Sequence, residues 1–168
     1  MAETVIHHPN RDKAESKATK AIVVMLLLVS AGLVLVVTIG GWSALQGAQL
    51  LALAYAALNV VMAYHIANWR RGLLPVAAAL AVLYGVLAAI AGPSWFARDK
   101  PGFSEPLLAP DLLGLLTLLI VPVQLLIVAF AARAFTQQWN VEIEVEADTE
   151  RRGPKAPHRG GTTQPLGA

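Results

Sequence analysis

The sequence lacks cysteine altogether and lacks formal charge over a long stretch near its start. The missing cysteine excludes disulfide bonds, thiolate metal sites and cysteine nucleophiles. From residue 21 to residue 69 no side chain carries a formal charge. Such a run is too long for one helical crossing of a hydrocarbon layer, which takes about 20 residues. Gly40 and Gly41 interrupt the run near its middle, which predicts a helical hairpin that goes out and returns.

The composition predicts an all-α integral membrane protein. Hydrophobic residues make up 56% of the chain and charged residues 14%, and the mean hydropathy is +0.57. In soluble domains, charged residues make up about a quarter of the sequence. The formal net charge of +2 is too small to indicate a nucleic-acid partner. We therefore expect the lipid bilayer to be the main environment of the chain.

Uncharged runs rich in leucine, valine, isoleucine and alanine predict four transmembrane helices, arranged as an up-down-up-down bundle within residues 21–136. The predicted spans are 21–39, 44–66, 73–90 and 112–132. An N-terminal segment, 1–20, precedes them. The C-terminal segment, 137–168, is predicted to be mostly disordered, and the end of the N-terminal segment far from Lys20 likewise.

The basic residues near the span ends predict the orientation of the chain. One set falls on a single side of the predicted bundle: Lys20, Arg70, Arg71 and Arg133. The other side has only Arg98 and Lys100, which neighbouring acidic residues offset. We therefore expect a multi-pass protein of the cell (plasma) membrane with both termini in the cytoplasm.

The predicted outer loop, 92–111, is rich in proline and aromatic residues. Its prolines argue against regular helix, and Trp95, Phe96 and Phe103 suit the lipid headgroup layer. Two interpretations stay open: a compact loop that lies on the membrane surface, or a docking surface for an extracytoplasmic partner.

Neutral polar residues are the notable side chains inside the predicted spans. Tyr55 and Asn59 lie one turn apart in the second span, and Gln124 lies near the centre of the fourth, just after Pro122. Such groups need partners in hydrocarbon, so they should face the bundle interior. They either join helices by hydrogen bonds, worth about 0.6 kcal/mol each, or line a path for a small solute or ion. His65 is expected to be an interfacial residue.

The third span has small residues at every fourth position, which predicts a flat ridge for close helix packing. The ridge comprises Ala77, Ala81, Gly85 and Ala89. After the fourth span, residues 141–146 alternate apolar and acidic side chains with the period of a strand. A strand there needs a partner strand, and no second one is evident, so disorder or a frayed end of the fourth helix is the preferred interpretation.

Searches for catalytic motifs find no phosphate-binding loop, metalloprotease motif or nucleophile elbow. We therefore predict no catalytic, cofactor-binding or metal-binding residue, and a protein that is not an enzyme. Three hypotheses remain. The chain is an accessory, assembly or interaction subunit that contacts another membrane protein or a second copy of itself; a small transporter or channel protomer lined by Tyr55, Asn59 and Gln124; or a membrane enzyme or redox carrier.

Overall fold

The computed structural model describes residues 4–98 and 105–146, which are mostly helical. In chain order the elements are β1 (Thr4–His7), α1 (Pro9–Asp12), α2 (Ala14–Gly40), α3 (Gln49–Ala67), α4 (Leu74–Phe96), α5 (Pro110–Thr136) and β2 (Ile143–Glu146). Short 3-10 turns occupy Trp42–Ala44 and Arg71–Leu73. Helices α2 to α5 are each long and apolar enough to cross a membrane, which confirms the predicted number of spans and is typical of a multi-pass membrane protein.

The helix boundaries differ from the predicted ones where turn residues intervene. The second span was expected from residue 44, but α3 begins at Gln49, because Gln46 and Gly47 have positive φ angles of 46° and 98° that break the helix. The predicted loop 92–111 is shorter in the structure, since α4 continues through Pro93 to Phe96. Gly92 has no Cβ to clash with the ring of Pro93, so the residue before the proline stays helical.

The four long helices are not equally in contact with one another. Helix α2 packs against both α3 and α5, and α4 packs extensively against α5, whereas α3 and α4 make few contacts with each other. The order across the structure is therefore α3, α2, α5, α4. This leaves one side open, between α3 and α4.

The α4–α5 contact uses small side chains, although not the regular ridge predicted. Ala77 and Ala81 are buried, and a Cβ on Gly85 would lie 3.3 Å from the Cβ of Gln124. Ala89 is exposed, and the buried face continues instead through Ala88 and Gly92. A spacing of four residues drifts by about 40° per step around a helix of 3.6 residues per turn, so the fourth member leaves the contact face.

One end of the structure, which we call the basic end, joins the start of α2 to the ends of α3 and α5. Lys20 Nζ donates to the carbonyl of Ala67 (3.0 Å) and lies 3.8 Å from the ring centroid of Trp69. Arg71 Nε donates to the carbonyl of Phe135 (2.9 Å), and Arg133 pairs with Glu15. These contacts cross between helices that are distant in sequence.

Two tryptophans form the centre of the basic end. Trp139 is fully buried, and its ring meets that of Trp69 edge to face at a centroid distance of 5.2 Å. Trp69 has a φ of 63°, in the left-handed region, which costs a non-glycine residue about 1–2 kcal/mol. The ring contacts with Trp139 and Lys20 offset this cost and hold the turn after α3 in place.

The predicted disorder of both terminal segments is corrected for the residues that the structure describes. Strand β1 pairs antiparallel with β2, with Ile6 opposite Glu144 and His7 opposite Ile143. The sequence near residues 141–146 shows no partner strand, but the structure provides one, β1, from the N-terminal segment. Residues 137–142 join α5 to this ribbon and include the buried Trp139. Residues 147–168 lie outside the described residues.

Cysteine pairs test this ribbon directly, because the chain has no cysteine of its own. We expect the double variant Ile6→Cys with Glu144→Cys to form a disulfide under mild oxidation, since directly opposed strand residues have Cβ atoms about 4.5–5.5 Å apart. Adding Trp139→Ala should reduce the yield. The readout is a mobility shift on non-reducing gels.

The matched control is Ile6→Cys with Ile143→Cys, which differs by one position along β2 and so presents the second thiol on the other face. Equal yields from the two pairs would contradict the register, and an unchanged yield with Trp139→Ala would contradict the part assigned to the buried tryptophan.

Candidate functional site

Four polar side chains from three helices meet inside the bundle, and we call them the polar cluster: Ser30 from α2, Tyr55 and Asn59 from α3, and Gln124 from α5. All four are buried. Gln124 joins them, because its Oε1 accepts from the Tyr55 hydroxyl (2.9 Å) and its Nε2 donates to Ser30 Oγ (2.8 Å). Asn59 Nδ2 also donates to Ser30 Oγ (3.2 Å).

The helical repeat explains why these residues converge. Tyr55 and Asn59 are four residues apart and therefore share one face of α3, which packs on α2. Gln124 is on the buried face of α5 together with Val123 and Ile127. The structure thus brings together the three polar residues predicted from sequence.

Ser30 is the member of the polar cluster that the sequence analysis missed. It accepts hydrogen bonds from the amides of both Asn59 and Gln124. Other buried hydroxyls behave differently: Thr38 and Thr117 donate to carbonyls one turn back in their own helices. The signal available in the sequence was the single serine of the predicted span 21–39, near its middle.

Tyr84 connects α4 to the polar cluster. Its ring stacks on that of Tyr55, with centroids 3.9 Å apart and an angle of 8° between the planes. Because α3 and α4 otherwise make few contacts, this stack is a main bridge across the open side.

The buried polar atoms of the polar cluster have hydrogen-bond partners within the protein. Among the described residues, no buried side-chain nitrogen or oxygen lacks a hydrogen-bond partner. Members of the cluster are also absent from the lining of the two grooves described below. The arrangement is therefore suited to holding α2, α3 and α5 together, and a solute would have to displace its internal bonds.

Two grooves occupy the open side between α3 and α4. The apolar groove has a volume of about 400 Å³ and includes Ala48 and Ala52 from the α3 side and Leu87, Ala88 and Trp95 from α4. The basic groove, at the basic end, has a volume of about 1010 Å³. Its lining combines apolar residues of α3 and α4 with the polar turn between them and residues near β2.

The aromatic residues predicted for an outer docking loop are partly used for packing. Trp95 is buried, and a Cβ on Gly41 would lie 2.6 Å from its ring. A Cβ on Gly114 would likewise lie 2.7 Å from the ring of Phe96, although that ring is also exposed. Phe103 lies outside the described residues.

The predicted topology anchors differ in their surroundings. Lys20, Arg71 and Arg133 make the interhelical contacts of the basic end. Arg70 is exposed and lines the basic groove beside His65. Within residues 4–98 and 105–146, no three histidine, aspartate or glutamate side chains are grouped to hold a metal ion.

A double-mutant cycle tests the coupling within the polar cluster. Tyr55→Phe and Gln124→Leu should each lower the free energy of unfolding by about 1 kcal/mol. Each substitution removes one side of the Tyr55–Gln124 hydrogen bond and leaves the other buried group without that partner. The double variant should cost clearly less than the sum. The measurement is reversible unfolding in bicelles or mixed micelles, followed by circular dichroism.

Tyr64→Phe is the matched control, because Tyr64 lies on the same helix but is 68% exposed. Its unfolding free energy should match that of the unmodified protein. Strictly additive costs for Tyr55→Phe and Gln124→Leu would contradict a direct bond between the two side chains.

Comparison with known proteins adds no relationship: no family model matches the chain, and neither a curated protein nor a solved structure matches it significantly.

Proposed function

We propose that this chain is a non-catalytic subunit of a membrane complex, which acts by accepting a helix of another membrane protein between α3 and α4. The observation that carries the proposal is the open side of the structure. Helices packed around a self-contained bundle cover one another, whereas here α3 and α4 make few contacts and leave an apolar groove of about 400 Å³.

The shape and chemistry of the apolar groove suit a helix. Small side chains, including Ala48, Ala52 and Ala88, leave room along the groove, while Leu87 and Trp95 add larger apolar surface. Inside a membrane, helices associate mainly through close packing at small residues, because lipid tails are as apolar as leucine. A partner helix gains more contact in such a groove than on a convex helix face.

The proposal includes an up-down-up-down arrangement with the basic end in the cytoplasm of a plasma-membrane protein. Support comes from the contacts that join the start of α2 to the ends of α3 and α5. The cations Lys20, Arg71 and Arg133 share this end, and cytoplasmic flanks carry an excess of lysine and arginine. Both termini then lie in the cytoplasm.

The transporter hypothesis receives less support from the geometry. Tyr55, Asn59 and Gln124 are bonded to one another or to Ser30 in a packed interior. A conducting path through them requires these bonds to open at each passage. Among the described residues, we find no arrangement that favours the enzyme or redox-carrier hypothesis.

Photo-crosslinking in native membranes tests the proposed partner contact. We expect a photoreactive residue at Leu87, in the apolar groove, to give a discrete crosslinked protein band. The matched control is Leu125, an exposed leucine of α5 away from both grooves, which should crosslink mainly to lipid. Mass spectrometry of the Leu87 band identifies the partner, or a second copy of this chain.

Two results would overturn the proposal. One is lipid-only labelling at Leu87 together with recovery of the chain as a monodisperse monomer in mild detergent. The other is a Leu87 band composed of two copies of this chain, which replaces the foreign subunit by a homo-oligomer.

A further inference from the structure

The basic groove combines an apolar wall with a polar mouth. The apolar part is formed by residues of α3 and α4: Leu58, Val61, Met62, Val76 and Leu80. The mouth is formed by Arg11, His65, Asn68, Arg70, Arg71, Asn140 and Glu142. The apolar wall matches the acyl chains of a phospholipid, and the polar mouth matches its headgroup.

The cations at the mouth are not equally engaged within the protein. Arg71 Nε donates to the carbonyl of Phe135, and Arg11 Nε donates to the carbonyl of Trp139 (3.0 Å). The Arg70 side chain, in contrast, makes no hydrogen bond or ion pair with any described residue; only its backbone is bonded, to His65 and Leu73. Among the described residues that line the mouth, only Glu142 has a carboxylate, and this carboxylate lies 3.5 Å from His8 Nε2. The mouth is therefore cationic, and its least engaged cation is Arg70.

Measured from its inner end at Leu58 to its mouth at Asn68, the whole basic groove has the length of one membrane leaflet. From Leu58 to Asn68, α3 rises about 15 Å at 1.5 Å per residue. This equals half of a hydrocarbon layer about 30 Å thick. A chain that follows the wall from the mouth thus reaches about the middle of the bilayer.

We propose that the basic groove binds one anionic phospholipid, with its phosphate at Arg70 and Arg71 and an acyl chain between α3 and α4. A guanidinium presents paired N–H donors that match phosphate oxygens. Basic pockets between helices on the cytoplasmic side are suited to anionic headgroups. This inference rests on the proposed orientation, with the basic end in the cytoplasm, but not on the partner helix proposed for the apolar groove.

Lipid binding to the full-length protein in detergent tests the inference. We expect dioleoyl-phosphatidylglycerol to bind at least about five-fold more tightly than dioleoyl-phosphatidylcholine, as an added favourable cation contact of about 1 kcal/mol implies. The measurement is native mass spectrometry with lipid titration, together with the lipid-dependent shift of the unfolding temperature. Inorganic phosphate, in a third arm, should give no shift.

Variants separate the headgroup contact from the acyl-chain contact. Arg70→Gln should remove most of the preference for phosphatidylglycerol, whereas Lys17→Gln, an equal loss of charge at the same end but outside the groove, should retain it. Val76→Trp, which fills the apolar wall without changing charge, should weaken both lipids. The unfolding temperature without lipid controls for folding of each variant.

Several outcomes would overturn the inference. Equal binding of the two lipids would remove the anionic headgroup from it. A phosphate shift as large as the lipid shift would make the mouth a site for the free ion. Equal losses in Arg70→Gln and Lys17→Gln would show general electrostatic attraction rather than a defined groove.

Discussion

The hydrogen bonds of Gln124 are the interaction on which the arrangement of the helices depends. A side-chain amide in hydrocarbon cannot form hydrogen bonds with water, so its donors and its acceptor need partners within the protein. Gln124 finds them on two other helices, at Ser30 and Tyr55. These two hydrogen bonds fix the rotation of α5 about its axis relative to α2 and α3, at the level of Gln124. Apolar packing alone tolerates rotations that bury the same area, whereas these bonds do not.

The position of α4 follows from that constraint. With α2, α3 and α5 joined by the polar cluster, α4 packs on the remaining face of α5, where Gly85 allows it to approach the stem of Gln124. Its contact with α3 is then reduced to a few residues, chiefly the stack of Tyr84 on Tyr55. The open side is thus a consequence of where the polar groups lie. The same polar cluster that stabilises the interior leaves an apolar surface between α3 and α4.

The sequence predicted the parts of this structure that depend on composition and local pattern. Four apolar spans and the inward placement of Tyr55, Asn59 and Gln124 follow from the cost of polar groups in lipid. Ser30 was missed because a serine in a helix commonly bonds its own backbone, and its role appears only once the helix rotations are known. The β1–β2 ribbon was missed because its strands lie at opposite ends of the chain, where no local pattern reports pairing. Small shifts such as Ala89 to Ala88 reflect the difference between a four-residue repeat and the helical period.

The two ends of the open side differ in a way that bears on function. Near Trp95 the groove is lined mostly by apolar groups, which suit the apolar side chains of a partner helix. At the basic end, α1 and the turn after α3 add cations to the mouth of the groove, and Trp139 contacts both of these elements. A single ligand that filled both grooves would need an apolar part for the apolar groove and an anionic group for the mouth of the basic groove. The two proposals instead assign a partner helix and a bound lipid to separate parts of the open side, each to the groove whose chemistry it matches. The proposed lipid site would then include the segments on either side of the four long helices, since these supply Arg11 and Glu142 to the mouth.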